Sequence, residues 1–293
     1  MAERCGAIAI VGRPNVGKST LLNRLVGSKL SITSGKPQTT RHAIRGILTQ
    51  EGAQFVFVDT PGFQLRHGGA LNRALNRNVS RALEEVDVVV LVVAAGSVTD
   101  EDRRAYAQIP RQLPLIVVIN KADTLERRDD VLPLMAKAAA AFPNAEIVPC
   151  SARTGRNLAD LLATIRARLP EQPFMFAPDE LTDRDERFLA AEMIREKLFR
   201  TLGEEVPYGA VVEVDSFKTE GKLRRIGATI YVEKDNHKGI VVGANGEKLK
   251  SIASASRKDM EALFGGRVFL DVWVKARPGW SRSARDLRRF GLQ

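Results

Sequence analysis

Cysteine is scarce in this chain: Cys5 and Cys150 are the only two in 293 residues, far apart and without metal-ligand spacing. That excludes a disulfide framework and predicts reduced thiols in an intracellular setting. Long apolar runs are missing as well. The longest, "VDVVVLVVAA" at 86–95, is about half the length of a membrane-spanning helix. The apolar run in "MAERCGAIAIVG" is too short for a secretory signal. A soluble cytoplasmic chain is therefore expected, with peripheral contact at the inner face of the cell membrane left open. No internal repeat or low-complexity tract occurs, and no exposed pattern demands an oligomer, so a monomer is expected. Acidic side chains are also in deficit, 35 against 45 Lys and Arg, which leaves a formal charge of +10. Such an excess points to an anionic partner, nucleic acid or an acidic membrane surface, or to a merely basic soluble protein.

The length accommodates two domains. In the first part strand-like runs at Ala7, Ala43, Gln54, Val86, Leu113 and Ala145 alternate with helical patterns such as "KSTLLNRLVG" and "NLADLLATIRARL". The alternation predicts an α/β domain, a mostly parallel sheet with helices on both faces. Pro170, Pro173 and Pro178 then interrupt the pattern and read as a stiffened connector. After it come a long amphipathic helix, two alternating strands, a glycine-rich turn, a helix and the strand "RVFLDVWV". The expected division is a nucleotide-binding domain at 1–172, a linker at 173–182 and a smaller α+β domain at 183–293.

"GRPNVGKST" begins at Gly12, after an apolar strand and before a helix. It fits the phosphate-binding pattern G-x-x-x-x-G-K-[ST], in which backbone N–H groups wrap the phosphates. Gly12, Pro14, Asn15, Val16, Gly17, Lys18, Ser19 and Thr20 are the expected cradle. Lys18 would reach the β- and γ-phosphates, and the Ser19 hydroxyl would hold Mg²⁺. Asp59, at a strand end, would hold Mg²⁺ through water, and Gly62 would offer its N–H to the γ-phosphate. "NKAD" at 120–123 supplies Asn120, Lys121 and Asp123. The Asp123 carboxylate would accept from guanine N1–H and the 2-amino group, which adenine cannot match. In "SAR", Ser151, Ala152 and Arg153 follow the last strand, with the Ala152 N–H expected on guanine O6. Together these motifs predict binding of GTP and GDP.

These residues resemble the translation-factor-related GTPases, and "QTTRH" at 38–42 is similar to the first switch of the Era family. The resemblance implies that Thr40 meets Mg²⁺ through its hydroxyl and senses the γ-phosphate through its N–H. Catalysis is then expected from Lys18, Thr40, Gly62 and Asn15. Many GTPases place a water-orienting glutamine after D-x-x-G; here that position is Phe63. The family carries an apolar residue there, so backbone groups, a partner or a cation must place the water, and intrinsic hydrolysis is expected to be slow. Asn15 matches an asparagine that holds K⁺ beside the phosphates in some relatives; a loop-capping role is the alternative. Gln64 is a neighbour that need not point the same way.

In the second part Gly243, Ala244, Asn245 and Gly246 form a GxxG turn between an apolar run and an amphipathic helix. Glycines allow a phosphodiester backbone to approach closely, and the helix N-terminus favours anions. With two strands before and a helix and strand after, the stretch resembles a bacterial (type II) KH domain, which clamps a few nucleotides of single-stranded RNA. Lys238, Gly239, Ile240, Gly243, Ala244, Asn245, Gly246, Lys248 and Lys250 are the expected RNA contacts. At least two of Ile240, Val241 and Val242 are expected in the core. Ala244 stands where Era-like sequences often carry a basic residue, which predicts a shallower salt dependence. The tail carries Lys275, Arg277, Arg282, Arg285, Arg288 and Arg289 against Asp286; its arginines, Arg282 among them, are expected to pair with RNA phosphate, and Trp280 and Phe290 could stack on bases. Rival readings of the tail are an amphipathic helix on an acidic membrane or a solvated closing helix with Trp280 packed on its own domain. Arg73, Arg77 and Arg81, at spacing four, share one helix face.

The two halves in this order imply an Era-family architecture, a P-loop GTPase domain followed by a type II KH domain. The resemblance implies a GTP-hydrolysing factor of small (30S) ribosomal subunit assembly that binds the single-stranded 3′ end of 16S rRNA. The rivals are a peripheral-membrane signalling GTPase and a static RNA-binding protein that needs GTP for stability alone.

Overall fold

The computed structural model describes residues 3–36, 39–62, 70–203 and 205–292. The chain divides into two units, one of residues 1–31, 40–67 and 75–183, the other of 32–39, 68–74 and 184–293.

The first unit is built on β1 (Arg4–Val11), β2 (Ile44–Gln50), β3 (Ala53–Asp59), β4 (Val88–Ala94), β5 (Leu115–Asn120) and β6 (Glu146–Pro149), in the order β2-β3-β1-β4-β5-β6. Every pairing is parallel except β2 with β3. The expected strand at 86–95 is β4, buried along Val88–Val93. A strand covered on both faces can be apolar at every position, which is why it reads as a run and not an alternation. Helices α1 (Lys18–Val26), α2 (Ala70–Glu84), α3 (Asp100–Tyr106), α4 (Val131–Ala141) and α5 (Leu158–Arg166) complete the alternation. Arg73, Arg77 and Arg81 are exposed on α2, as their spacing predicts. α3 starts on a capping box: the Thr99 side chain accepts from the Asp102 N–H while Asp102 accepts from Thr99, an arrangement worth about 1 kcal/mol. Cys5 and Cys150 are buried free thiols, and burial pushes the Cys150 pKa up to about 12.

The proline-rich stretch, expected as a stiffened linker, is hydrogen-bonded to the sheet of the first unit. The Gln54 carboxamide oxygen accepts from the Met175 and Phe176 N–H groups, at 2.8 and 3.0 Å. The Leu181 carbonyl takes the Ile47 N–H at 2.8 Å, and the Thr182 hydroxyl donates to Arg45 O at 2.6 Å. Residues 173–182 thus satisfy part of the open edge of β2, and they belong to the first unit.

The second unit holds α6 (Glu186–Thr201), β7 (Ala210–Glu220), β8 (Leu223–Val232), α7 (Asp235–Val242), α8 (Glu247–Phe264), β9 (Arg267–Ala276) and α9 (Ala284–Arg289). The sheet runs β7-β8-β9, with β7 antiparallel and β9 parallel to β8. Its inner face packs Val214, Ile226, Ala228, Ile230 and Val274 against Met193, Ile194 and Leu198 of α6 and Ile252 and Met260 of α8.

Candidate functional site: a nucleotide pocket and a GxxG cleft

The phosphate loop runs from the end of β1 into α1. Gly12 and Gly17 have φ of 143° and 99°, and Asn15, at 64°, is also left-handed. A Cβ on Gly12 would lie 2.4 Å from Val92 O, and one on Gly17 would lie 2.4 Å from Asn120 Nδ2. Glycine at both positions is therefore a steric requirement. Lys18 is buried and donates Nζ to the Gly12 and Arg13 carbonyls at 3.1 and 3.0 Å. Arg13 Nε in turn reaches the fully buried Asp102 Oδ1 at 3.1 Å, tying the loop to α3. A Cβ on Gly62 would stand 3.2 Å from Lys18 Nζ, so the end of the D-x-x-G turn lies beside the lysine.

Asp59 is completely buried. Its Oδ2 accepts from Ser31 Oγ at 2.6 Å, Ser19 Oγ at 2.7 Å and Thr40 Oγ1 at 3.4 Å, and Ser19 and Thr40 hydroxyls are 2.9 Å apart. Asp59 Oδ1 has no hydrogen-bond partner among the described residues. Two hydroxyls, a buried carboxylate and an oxygen left over make an all-oxygen set that suits Mg²⁺. Burial raises the Asp59 pKa, against the pull of Ser31 and Lys18; a cation at this spot would favour the ionised form. Ser31 was not foreseen. It is placed by Asn23 of α1, whose Oδ1 accepts from the Leu30 and Ser31 N–H groups while Nδ2 donates to Ser31 O. Thr39 lies apart from this cluster, its hydroxyl on Ser34 Oγ and Lys36 O. Gln38, Phe63 and Gln64 lie outside the described residues.

The base-side loops meet through Asn120. Its Nδ2 donates to Val16 O at 2.8 Å and its Oδ1 accepts the Ala152 N–H at 2.9 Å. The Ala152 N–H, expected on guanine O6, is thus spent within the protein, where it locks "SAR" to "NKAD". Lys121 Nζ reaches Asn15 O at 2.7 Å, closing the phosphate loop from the other side. Asp123 Oδ1 accepts from Ser151 Oγ, and Oδ2 accepts from Arg153 Nε at 2.9 Å. The Ser151 hydrogen bond, helped by Arg153, lowers the Asp123 pKa, so the carboxylate stays ionised, the state that accepts from both guanine donors. Arg153 therefore serves Asp123. Thr20 sits on α1 behind Ser19 and is exposed, and Pro14 packs beside Gly62.

Burial lowers the Lys18 pKa to about 8, only partly offset by Asp59. Phosphate charge favours the ammonium form, so binding raises this pKa and takes up a proton wherever free Lys18 is neutral. Nucleotide affinity is therefore expected to be flat below about pH 7.5 and to fall as pH climbs past about 8. Calorimetry of GDP binding in buffers of different ionisation enthalpy checks this; no proton uptake at about pH 9 would contradict it.

In the second unit α7 and α8 are joined by the GxxG turn. Gly243 (φ 75°, ψ 178°), Asn245 (φ 49°) and Gly246 (φ 77°) all have positive φ. A Cβ on Gly243 would come within 2.6 Å of the Lys248 Cβ. Lys238, Gly239, Ile240, Ala244, Asn245 and Lys250 are exposed along this edge, and Lys248 is half-buried. Val241 is fully buried and Val242 packs on the core, leaving Ile240, 41% exposed, as the apolar group that faces solvent. Glu247 opens α8 and suits its dipole, although it adds an anion beside the turn.

Trp280 is not a base platform. It is 0% exposed, packed edge-on against Phe290 at 5.6 Å, with Nε1 donating to Gly209 O at 3.0 Å. With Phe290, Leu287 and Leu292 it closes a small core over Val211 and Tyr231. An aromatic followed by arginines reads alike whether it stacks on bases or on its own sheet; long-range contacts decide. Arg277 and Arg289 are paired with Asp286 and Glu213, whereas Arg282, Arg285 and Arg288 are exposed. α9 spends its apolar face on its own domain, which leaves none for a lipid surface. Among the described residues no helix is long and apolar enough to cross a membrane.

A mostly parallel sheet with a phosphate loop, a buried Mg²⁺-type oxygen set and a guanine-type base loop, followed by a GxxG-bearing α+β unit, defines a GTPase with a KH domain. The comparisons agree: residues 7–121 match the family of "50S ribosome-binding GTPase" and residues 205–281 match the KH domain. The GTPase Era of Nitrosomonas eutropha is 53% identical, covering 99% of this chain and 98% of its own, and that of Chromobacterium violaceum is 51% identical, covering 98% and 97%. Among solved structures, an Era in complex with MgGDPNP and nucleotides 1506–1542 of 16S ribosomal RNA has a TM-score of 0.95 at 38% identity, over 99% of both chains. A single-residue variant of Aquifex aeolicus Era bound to GDP and AlF4⁻ has a TM-score of 0.94 at the same identity and coverage. The chain belongs to the Era family of GTPases.

Proposed function

We propose that this GTPase acts in assembly of the small (30S) ribosomal subunit, binding the 3′ end of 16S rRNA through the GxxG turn and its flanking lysines. The related Era bound to MgGDPNP and 16S rRNA nucleotides 1506–1542 supports this partner. In this reading Lys18, Gly62 and the phosphate-loop N–H groups orient the triphosphate, and Ser19, Thr40 and Asp59 hold Mg²⁺. The metal, when bound, neutralises charge developing on the phosphates. Asp123 selects guanine. Asn15 holds K⁺ beside the phosphates in place of the missing glutamine.

The observation that carries the coupling of nucleotide to RNA lies in residues 32–39, which lead into Thr40 but belong to the second unit. Arg200 of α6 donates Nε to Thr33 O at 3.1 Å and Nη2 to Thr33 Oγ1 at 2.9 Å, while Glu196 accepts from the Thr33 hydroxyl at 3.3 Å. Lys36 Nζ donates to the Leu202 and Gly203 carbonyls just past α6. A change at Thr40 on hydrolysis thus pulls on the helix that underlies the KH sheet, an order–disorder switch of the kind GTPases use. The test is GTP turnover with and without the rRNA 3′ end, in K⁺ and in Na⁺.

A further inference from the structure

We propose that the outer face of the β7-β8-β9 sheet is a second single-stranded RNA surface, with the Trp273 indole as a base-stacking platform and Phe269 as its companion. The inference rests on the RNA-binding reading above and extends it.

Inner residues of this sheet are buried by α6 and α8, while α9 covers the outer face at Val211 and Tyr231 and its Arg289 reaches Glu213. Beyond α9 the outer face is open. Register sets out its rows: Lys218–Arg225–Phe269, Ser216–Gly227–Asp271, and Glu213–Thr229–Trp273. Trp273 and Phe269 are 60% and 55% exposed, unusual for large aromatics. Four strand residues separate them by about 13 Å, enough to take separate bases. The Arg225 guanidinium lies 5.6 Å from the Phe269 ring centroid, while no ring or cation stacks on Trp273 among the described residues.

Charge selects the occupant. Glu213 and Glu220 are neutralised by Arg289 and Arg225, and Asp215 accepts from the Thr229 hydroxyl. Among the described residues the side chains of Lys218, Lys222, Arg267 and Lys275 have no acidic partner, against two acids without a cationic partner, Asp215 and Asp271. Exposed aromatics on an open sheet amid unpaired cations suit single-stranded nucleic acid, in which bases stack and phosphates meet cations. A KH cleft clamps about four nucleotides, so a 3′-end probe the length of nucleotides 1506–1542 has strand to spare for a neighbouring surface.

The chain has two tryptophans, and Trp280 is fully buried, so acrylamide quenching reports on Trp273. Titration of the full chain with that rRNA probe is expected to quench the exposed indole emission and protect it from acrylamide. Trp273→Ala is expected to weaken binding about tenfold, Phe269→Ala by less, and Trp273→Phe, which keeps a ring, by under about threefold. Continued acrylamide access at saturating RNA, with wild-type affinity for Trp273→Ala, would overturn the proposal while a Gly243→Asp loss of binding leaves the cleft reading standing. Absence of RNA binding by the wild type would overturn both. A dimer that Trp273→Ala dissociates would assign the face to a second copy of the chain and also overturn the proposal.

Discussion

Asp123→Asn is expected to lower GTP affinity by at least about 10³-fold and to transfer preference to xanthosine triphosphate. The carboxylate offers two acceptors to the guanine N1–H and 2-amino donors. An amide keeps one acceptor and turns a donor towards the amino group, leaving two buried donors facing each other. Xanthine carries a carbonyl where guanine has its amino group, so the same amide pairs with it. The structure adds a detail. Asp123 Oδ1 takes the Ser151 hydroxyl and Oδ2 takes Arg153, and an amide gives up the charge that holds Arg153. Arg153 is released, but at 75% side-chain exposure its pair contributes under about 1 kcal/mol. Folding is therefore expected to survive, and a competition assay with the two nucleotides isolates recognition. Equal loss of both would mean that the loop had collapsed.

The second large effect lies in the other unit. Gly243→Asp is expected to reduce affinity for the rRNA 3′ end by about 100-fold or more, with GDP affinity unchanged. Gly243 sits at φ 75°, ψ 178°, a region open to glycine and costing other residues of order 1–3 kcal/mol. Any Cβ there meets the Lys248 Cβ at 2.6 Å, pushing the first turn of α8 away from the phosphate path. The carboxylate then repels the same phosphates. Anisotropy with a labelled oligonucleotide reads the loss, and a melting curve shows whether the domain stands. Near-native RNA affinity would mean that the cleft is not the main contact.

Much of the nucleotide pocket was legible because its chemistry lies in contiguous motifs at strand ends. Gly12–Ser19, Asp59, Gly62 and Asn120–Asp123 each stand out by local spacing, and the sheet brings them together by strand order alone. What escaped reading depends on contacts distant in sequence. Ser31 reaches Asp59 only because Asn23 folds the 30–31 loop onto α1. The Ala152 N–H turns inward because Asn120 offers an acceptor. Helices α3 and α4 went unread: α3 spans only two turns, and α4 is apolar almost throughout and carries Pro133 in its first turn, so neither shows a polar–apolar period. The proline-rich stretch reads as a stiffened linker until the Gln54 carboxamide of β3 is seen to hold it and Leu181 to meet the β2 edge. Trp280 misled because a tryptophan among arginines carries no local sign of which surface it covers. Lys36 and Arg200 carried no motif at all, although they tie the loop before Thr40 to α6.

Turnover of GTP by the wild-type chain, with and without the rRNA 3′ end and in K⁺ or Na⁺, tests the central claim most directly. If residues 32–39 transmit between Thr40 and the KH unit, RNA raises the rate, and K⁺ raises it further through Asn15. Arg200→Ala then removes most of the RNA effect and spares the basal rate. A rate indifferent to RNA, with RNA nonetheless bound, would contradict the coupling and leave two independent binding sites on one chain.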